Sequence, residues 1–434
     1  MSPTSKQILH IAIPSIISNI TIPLLGLVDV AIVGHLGSAS YIGAIALGGM
    51  LFNMIYWIFG FLRMGTSGLT AQSYGGHNMK EVTHVLMRSL SIGMLLACLL
   101  LILQYPIRII AFHFISASAE VQHLSATYFH ICIWGAPATL GLYSLSGWFI
   151  GMQNAKYPMY IAITQNIVNI IASTFLVFVC NMKIEGVAIG TLIAQYAGLF
   201  MAFLLWLHHY SYLRKYIHFK NLFEHTAMKR FFQVNRDIFF RTICLVTVTV
   251  FFTSTGASYG DVLLAVNTLL MQLFTLFSYI MDGFAYAGEA LTGKCVGAAD
   301  RKELHNTVRH LFRWGIALAL LFTFLYATGG KEFLGLLTND STVLSVSAGY
   351  FYWVLAIPFV GFSAFLLDGI CIGLTATGAM LKAMIIASVS FFLIYWSMYS
   401  TLNNHALWLS FISYLLSRSI IQAFLLRKYK DITT

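Results

Sequence analysis

The sequence predicts an all-α membrane protein with twelve transmembrane helices, arranged as two parallel-repeat bundles of six helices around a central cleft. Composition is the first observation behind this prediction. Of the 434 residues, 59% are hydrophobic and 9% are charged, with a mean hydropathy of +0.79, whereas a soluble domain carries about 25% charged residues. An internal repeat, described below, is the second observation.

Apolar segments follow one another with short polar connections. Twelve of them are long enough to cross a bilayer, which takes about 20 helical residues. They run over residues 7–35, 42–73, 81–106, 120–146, 157–180, 186–209, 231–256, 262–296, 303–328, 341–370, 379–400 and 405–427. Several are longer than a straight crossing requires, which predicts tilt, a kink or extension beyond the bilayer.

Basic residues are distributed unevenly between the two sides that these spans define. With the N-terminus inside, the outer side receives only Arg108, Lys183 and Lys331, while the inner side receives the connection 210–241 and most of the rest. This asymmetry predicts that both termini are cytoplasmic. It also accounts for the net charge of +10 without nucleic acid as a partner.

A repeated pattern divides the chain into halves. Leu69, Thr70, Gly75, Lys80 and Glu81 recur as Leu291, Thr292, Gly297, Lys302 and Glu303 at one offset (291 − 69 = 222), as do Tyr128, Phe129 and Gly151 as Tyr350, Phe351 and Gly373. Each half holds six spans, so both halves have one orientation, as in alternating-access transporters with substrate between the halves. We predict an N-terminal bundle over 1–209, a cytoplasmic linker over 210–230 and a C-terminal bundle over 231–434.

Asp29 is a lone carboxylate in the apolar stretch LVDVAIVGHLG, toward the outer half of the first span. Since no Lys or Arg lies near it in sequence, it should take up and release protons near neutral pH. Pro23, six residues earlier, removes a backbone donor and is the predicted hinge of this helix. The alternative is an acid capped by a nearby hydroxyl, with no role in transport.

Polar residues follow on the next spans of the first half. Asn166, Asn169 and Ser173 are spaced three and four apart on the fifth span, hence on one face. Thr191 on the sixth span and Tyr143 on the fourth are weaker candidates of the same kind. We expect these side chains to line a cavity, although such residues also hold helices together.

Four further charges inside predicted spans are candidates for a functional role, because an ionised group there is costly and faces a cavity or a partner. They are Arg63 on the second span, Asp282 and Glu289 on the eighth, and Asp368 on the tenth. Asp282 and Glu289 are seven residues apart and share a face. Two interpretations stay open: a structural network that closes the inner face, or a second ion or proton site.

Other kinds of chemistry find no support in the pattern. Six cysteines lie scattered without a CxxC spacing, so neither a metal site nor a disulfide framework is predicted. No HExxH motif, and no His/Asp or Ser/Lys pair suited to catalysis, lies within the spans. We therefore predict no catalytic residues, no metal and no cofactor beyond a coupling ion.

Four stretches occur in order along the chain: LVDVAIVGHLG, FLRMGTSGLTAQSYG, MDGFAYAGEALTGKCVGA and LDGICIGLTATGAM. They resemble motifs of the DinF-like branch of the multidrug and toxic compound extrusion (MATE) family, and the resemblance covers essentially the whole chain. It implies two six-helix bundles around a cleft, and export of bulky, often cationic or amphipathic compounds driven by inward H⁺ or Na⁺ flow. It also implies that Asp29 is the coupling carboxylate and that the first helix bends at Pro23.

One departure from that family bears on the coupling ion. Many relatives have Asn followed four residues later by Asp on the fifth span, whereas this chain has Asn169 followed by Ser173. A hard cation prefers several anionic or carbonyl oxygens. The missing acid therefore favours a single proton at Asp29 over Na⁺, while the acids of the second half keep a cation site open.

The sequence thus predicts a monomeric antiporter of the bacterial inner membrane that exports bulky cationic or amphipathic drugs in exchange for protons. A Na⁺-coupled drug exporter is one alternative. A flippase for lipid-linked or polysaccharide precursors is another, but it would need several Arg or Lys along a groove, and only Arg63 is deep in the N-terminal spans. A channel or receptor agrees less well with a two-fold repeat carrying one asymmetric acid.

Overall fold

The computed structural model describes residues 2–35, 38–113, 118–217 and 222–427. Three parts of the predictions lie outside these residues: the end of the first motif, part of the predicted linker, and the last residues of the C-terminal bundle. These are Leu36 and Gly37, residues 218–221, and residues 428–434 with the basic Lys428 and Lys430.

The described chain consists of α-helices joined by short turns. In the first half these are α1 (Pro3–Gly34), α2 (Ala39–Ile58), α3 (Phe61–Gly75), α4 (Met79–Ile102), α5 (Gln104–His113), α6 (Ala119–Cys132), α7 (Ala136–Gly151), α8 (Lys156–Thr174) and α9 (Lys183–His209). In the second half they are α10 (His225–Ser258), α11 (Asp261–Gly297), α12 (Arg301–Leu337), α13 (Ser341–Gly373), α14 (Thr377–Leu402) and α15 (Asn404–Leu426). The all-α membrane class is confirmed.

Eleven segments of the described residues are long and apolar enough to cross a membrane, with α2 and α3 counted together. The predicted fourth span, 120–146, is instead built from α6, a 3₁₀ turn over Ile133–Gly135, and α7. Pro137 is the cause we assign, because it has no N–H to donate to the carbonyl four residues back. The helical ladder is interrupted there and the chain continues as a new helix.

The six-helix repeat is visible in where the helices begin. The first residues of α1 and α10 are 222 apart (225 − 3 = 222), and the same shift relates α2 to α11, α4 to α12 and α6 to α13. The last two pairs, α8 with α14 and α9 with α15, are 221 apart. The offset found in the sequence therefore extends to the secondary structure of both halves.

Two compact units make up the molecule. One contains residues up to Ile13 together with Phe232 onward, and the other contains Pro14–Phe231. Helix α1 thus passes from one unit to the other between Ile13 and Pro14. The predicted bundle boundaries at 209 and 231 stay a prediction.

Within each unit, one helix pair is packed in the same close way. We call Pro14–Phe231 the first-half unit and the other the second-half unit. In the first-half unit, a Cβ atom at Gly147 of α7 would collide with the carbonyl oxygen of Arg63 on α3. In the second-half unit, a Cβ atom at Gly369 of α13 would collide with the carbonyl oxygen of Ala285 on α11. Both members of this contact are related by the 222-residue shift, so the repeat extends to backbone packing.

Candidate coupling site

Asp29 lies near the end of α1 with 2% of its surface exposed. Ile32 and Val33, three and four residues further on, belong to the apolar core of the same unit. Residues at these spacings share one helix face, so core packing turns the Asp29 carboxylate into the unit and away from lipid.

A chain of hydrogen bonds leads to this carboxylate from α8 and α9. The Thr191 hydroxyl donates to Asp29 Oδ2 at 3.1 Å and accepts from Asn169 Nδ2, also at 3.1 Å. Asn169 Nδ2 lies 3.5 Å from Ser173 Oγ as well. We call Asp29, Asn169, Ser173 and Thr191 the Asp29 network. Since a hydroxyl has one proton, these hydrogen bonds all point in one direction: the Asn169 amide donates to the Thr191 hydroxyl, which donates to the Asp29 carboxylate.

Close approach of α8 and α9 brings these side chains together. A Cβ atom at Gly190 would collide with Ser173 Oγ and would lie 2.8 Å from the Ser173 backbone, so only glycine allows this distance. Directly after Thr174, α8 continues as a π-helical turn over Phe175–Val179, an irregularity that is frequent at functional sites.

Two oxygens of the network have no hydrogen-bond partner among the described residues. They are Asp29 Oδ1 and Asn169 Oδ1, and both are buried. No Lys, Arg or His of the described chain forms an ion pair with Asp29. A buried carboxylate without a cation is a costly charge, and a proton on Oδ1 would remove that cost.

The other predicted residues of the first half lie around the network rather than in it. Asn166 is half-buried and donates to the carbonyl of Ala162 on its own helix at 3.0 Å. Tyr143 packs, partly buried, against the apolar core of the unit. Pro23 lies inside α1, which continues as a helix through Pro14 and Pro23. The predicted hinge at Pro23 stays a prediction.

Asp368 has a contrasting environment in the second-half unit. It is 6% exposed, and its Oδ2 accepts from the guanidinium groups of Arg241 on α10 and Arg418 on α15. Its Oδ1 accepts from Gln422 Nε2 at 2.5 Å. We call these four residues the Asp368 cluster. Ion pairs from two neighbouring helices hold this acid, so it acts as a junction of α10, α13 and α15.

The remaining predicted charges differ in burial. Glu289 is buried, whereas Asp282 on the same helix and Arg63 on α3 are only partly buried. None of the three contributes to the Asp29 network. In the described residues, no group of three or more His, Cys, Asp and Glu side chains is arranged to hold a metal ion.

Sequence reasoning missed both arginines of the Asp368 cluster. Arg241 falls in the overlap of the basic connection 210–241 and the predicted span 231–256, and it is not among the candidate charges, whereas α10 begins at His225 and places it well inside a helix. Arg418 lies near the middle of the predicted twelfth span and is 2% exposed. Its position in an apolar segment was the signal that could have identified it.

Comparison with known proteins adds the family. The MatE family model matches residues 14–175 and 238–396, most of the chain. The chain belongs to the MatE family. It is 35% identical to DNA damage-inducible protein F of Escherichia coli K12 over 99% of this chain and 93% of that protein, which confirms the DinF-like branch. Proteins of this family are transporters, so the chain is a membrane transporter and not an enzyme.

More distant relatives agree with this assignment. Multidrug export protein MepA of Staphylococcus saprophyticus is 19% identical, with 80% of this chain and 76% of that protein covered. A MOP superfamily transporter from Pyrococcus furiosus has a similar solved structure, with a TM-score of 0.84 over 99% of this chain and 96% of that chain at 19% identity. At this identity, the structural likeness shows the fold alone.

Proposed function

We propose that this transporter exports bulky cationic or amphipathic small molecules across the bacterial inner membrane in exchange for protons, with Asp29 as the coupling carboxylate. The observation that carries the proposal is the unequal state of the two Asp29 oxygens. Oδ2 accepts a hydrogen bond from Thr191, while Oδ1 is buried without a partner. Such a group exists either as a buried anion or with a proton on Oδ1.

The two charge states suggest an exchange cycle. In the anionic state, Thr191 stabilises the Asp29 carboxylate. The negative charge of Asp29 then favours binding of a cationic substrate. Proton binding from the outer side neutralises Asp29 and removes that attraction, which releases the substrate outward. Pro23 lacks a backbone donor, so α1 can bend there at low cost as the charge changes. Proton release to the cytoplasm then restores the anion.

Drug-like substrates are supported by a relative. MepA of Staphylococcus saprophyticus is a multidrug export protein. The composition adds a chemical reason, because 15% of the residues are aromatic and 17 are Met, and such side chains along a cavity can adapt to varied flat cations through cation–π and thioether contacts.

Sodium coupling is the second candidate, and one observation favours it. Asp29 Oδ1 and Asn169 Oδ1 are both unpartnered oxygens of one network, and a hard cation binds through carboxylate and amide oxygens. Against it, the network holds a single acid where a hard cation gains from several anionic oxygens. A proton needs only the one oxygen that Asp29 offers.

Transport into proteoliposomes separates the two ions. Purified protein is reconstituted with a fluorescent cationic dye, and a pH gradient or a Na⁺ gradient is imposed separately. We expect dye movement to follow the pH gradient at constant Na⁺. Movement that follows only the Na⁺ gradient would show that Na⁺ is the coupling ion.

A neutral replacement tests the role of Asp29. In Asp29→Asn, dye exchange driven by a pH gradient should fall at least about 100-fold, because the Asp29 network then has no group that gains or loses a proton. Asp261→Asn is the matched control, since it makes the same change at an exposed carboxylate in the first turn of α11 that is not part of the Asp29 network, and it should retain exchange. Full activity of Asp29→Asn with normal protein levels would overturn the proposed coupling site.

A further inference from the structure

One face of α12 carries a row of exposed basic residues. Lys302, His305, Arg309 and Arg313 are spaced three and four apart, and all four are exposed. At these spacings their side chains lie on one face of the helix. We call them the α12 basic stripe.

The same face becomes apolar further along the helix. Ile316 is 47% exposed, Leu320 54% and Phe324 65%, and they continue the spacing from Arg313. Exposed apolar residues on a spanning helix face lipid. Arg313 precedes Ile316 by less than one turn, about 4.5 Å, so the stripe begins where a lipid-facing surface ends, at the height of the headgroups.

The opposite face of α12 is occupied by protein. Leu304, Leu311 and Ala319 are buried, and α12 packs mainly against α11 and α13 of its unit. The stripe is therefore on the outside of the unit and not in its core.

Nearby acids do not neutralise the stripe. Asp300 accepts from the backbone N–H of Glu303 as the cap of α12. The Glu303 carboxylate accepts from Thr4 and Asn306. In the described part of the chain, no acid forms an ion pair with Lys302, Arg309 or Arg313.

The first half lacks such a stripe at the equivalent place. Shifted by 222 residues, its positions are Lys80, Thr83, Met87 and Ser91 on α4, of which only the first is basic. Thr83 is buried, and the 3₁₀ turn that follows α9, Ser211–Tyr216, packs against α4. The stripe is thus a property of the second half and does not follow from the repeated fold.

We propose that the α12 basic stripe binds the phosphate headgroups of anionic lipids in the cytoplasmic leaflet. Lys302, Arg309 and Arg313 are exposed cations without acidic partners at the end of a lipid-facing surface, and they match a layer of phosphates in charge and height. Arg309 also donates to His305 Nε2 at 3.2 Å. The surface depression along the stripe measures about 460 Å³ and is lined by Lys302, His305 and Arg309 together with Asp300, Glu303 and Asn306. Each basic group near an anionic membrane surface strengthens binding about fivefold.

Lipid titration of a double variant tests the proposal. The probe is a short-chain fluorescent phosphatidylglycerol, and its polarisation is followed with the detergent-solubilised full chain. Arg309→Gln/Arg313→Gln should bind the probe about 30-fold more weakly than the unaltered protein. Lys229→Gln/Lys382→Gln is the matched control, because it removes two exposed basic residues elsewhere, and it should change binding less than about threefold.

The outcomes separate the possible sources of binding. Equal weakening in both double variants would show a bulk charge effect, and no weakening in the first would remove the site; either result overturns the proposal. Competition by soluble glycerol phosphate as strong as by the lipid would show a phosphate site that is not specific for lipid, and would also overturn it.

A second measurement uses the unaltered protein and needs no variant to fold. Binding of the phosphatidylglycerol probe should weaken steeply between 0.05 and 0.5 M salt, since the Debye length falls from more than about 10 Å to a few ångströms. A phosphatidylcholine probe should bind weakly throughout. Salt-independent binding, or equal binding of the two lipids, contradicts a site made from exposed cations.

Discussion

Asp29 and Asp368 are buried carboxylates in the two halves of one repeat, yet their surroundings differ in kind. Asp29 accepts one hydrogen bond from a neutral hydroxyl and has an oxygen without a partner. Asp368 accepts from two guanidinium groups and an amide. The first acid can change its charge state because no fixed charge depends on it, whereas the second is tied to two permanent cations.

The repeat itself does not carry this chemistry. The 222-residue shift places Phe251 opposite Asp29 and Ser146 opposite Asp368. Helix starts and close glycine contacts are shared between the halves, whereas the acids are not. Backbone packing and charge placement are therefore separate properties of each half, and each can be tested separately.

The largest expected effect comes from removing the Asp368 charge. In Asp368→Asn, two buried guanidinium groups lose their anion, and the free energy of unfolding should fall by about 3–5 kcal/mol. In Asp29→Asn, no cation is left unpaired, so stability should change by less than about 1 kcal/mol. Thermal unfolding in detergent, followed by size-exclusion profiles, measures both.

Replacing all three charged residues of the Asp368 cluster by apolar residues sharpens this test. Replacing Arg241, Asp368 and Arg418 together by Met, Leu and Met should restore most of the lost stability, because apolar residues of similar volume often replace buried ion pairs without cost. If Asp29→Asn were as unstable as Asp368→Asn, the contrast between a free and a paired acid would be wrong.

An intermediate effect is expected where α8 meets α9. Gly190→Ala would drive a methyl group into Ser173, separate the two helices and destabilise the unit by about 1–3 kcal/mol. Dye exchange should fall with it, because Asn169 and Thr191 move apart. Gly49→Ala is the control, since nothing lies within 4 Å of a Cβ there. Equal stability of both variants would show that close α8–α9 packing does not hold the network.

The smallest effect is a shift in pH dependence. Thr191→Val keeps the volume of the side chain but removes the hydrogen bond that favours the charged form of Asp29. Relative to the anion, the protonated form of Asp29 becomes more stable by about 1.4 kcal/mol. The pH of half-maximal dye exchange should therefore rise by about one unit. Asn166→Ala should leave the midpoint unchanged. An unchanged midpoint in Thr191→Val would exclude Asp29 as the titrating group.

The sequence predicted the local and periodic features of the molecule well. Hydropathy and the 222-residue offset anticipated the helices and their duplication, and the four-residue spacing of Asn169 and Ser173 anticipated a shared face. Thr191, ranked as a weaker candidate, is the direct partner of Asp29. Spacing along one helix could not rank it, because its role depends on how α9 is rotated against α1.

Contacts between distant segments account for what the sequence missed. Arg241 and Arg418 meet Asp368 from 127 and 50 residues away, and no pattern along the chain records such pairings. The break in the predicted fourth span could have been predicted from the sequence, since Pro137 has no backbone N–H to continue the helix that precedes it.

Proline at position 14 has a consequence for the helix that carries Asp29. Helix α1 lacks one backbone hydrogen bond there, because Pro14 has no N–H to donate to the carbonyl of His10. The gap falls where α1 leaves one compact unit and enters the other. A bend of α1 at this place would cost less than in a helix with all its hydrogen bonds, so the segment that carries Asp29 could tilt without moving the first residues of the same helix.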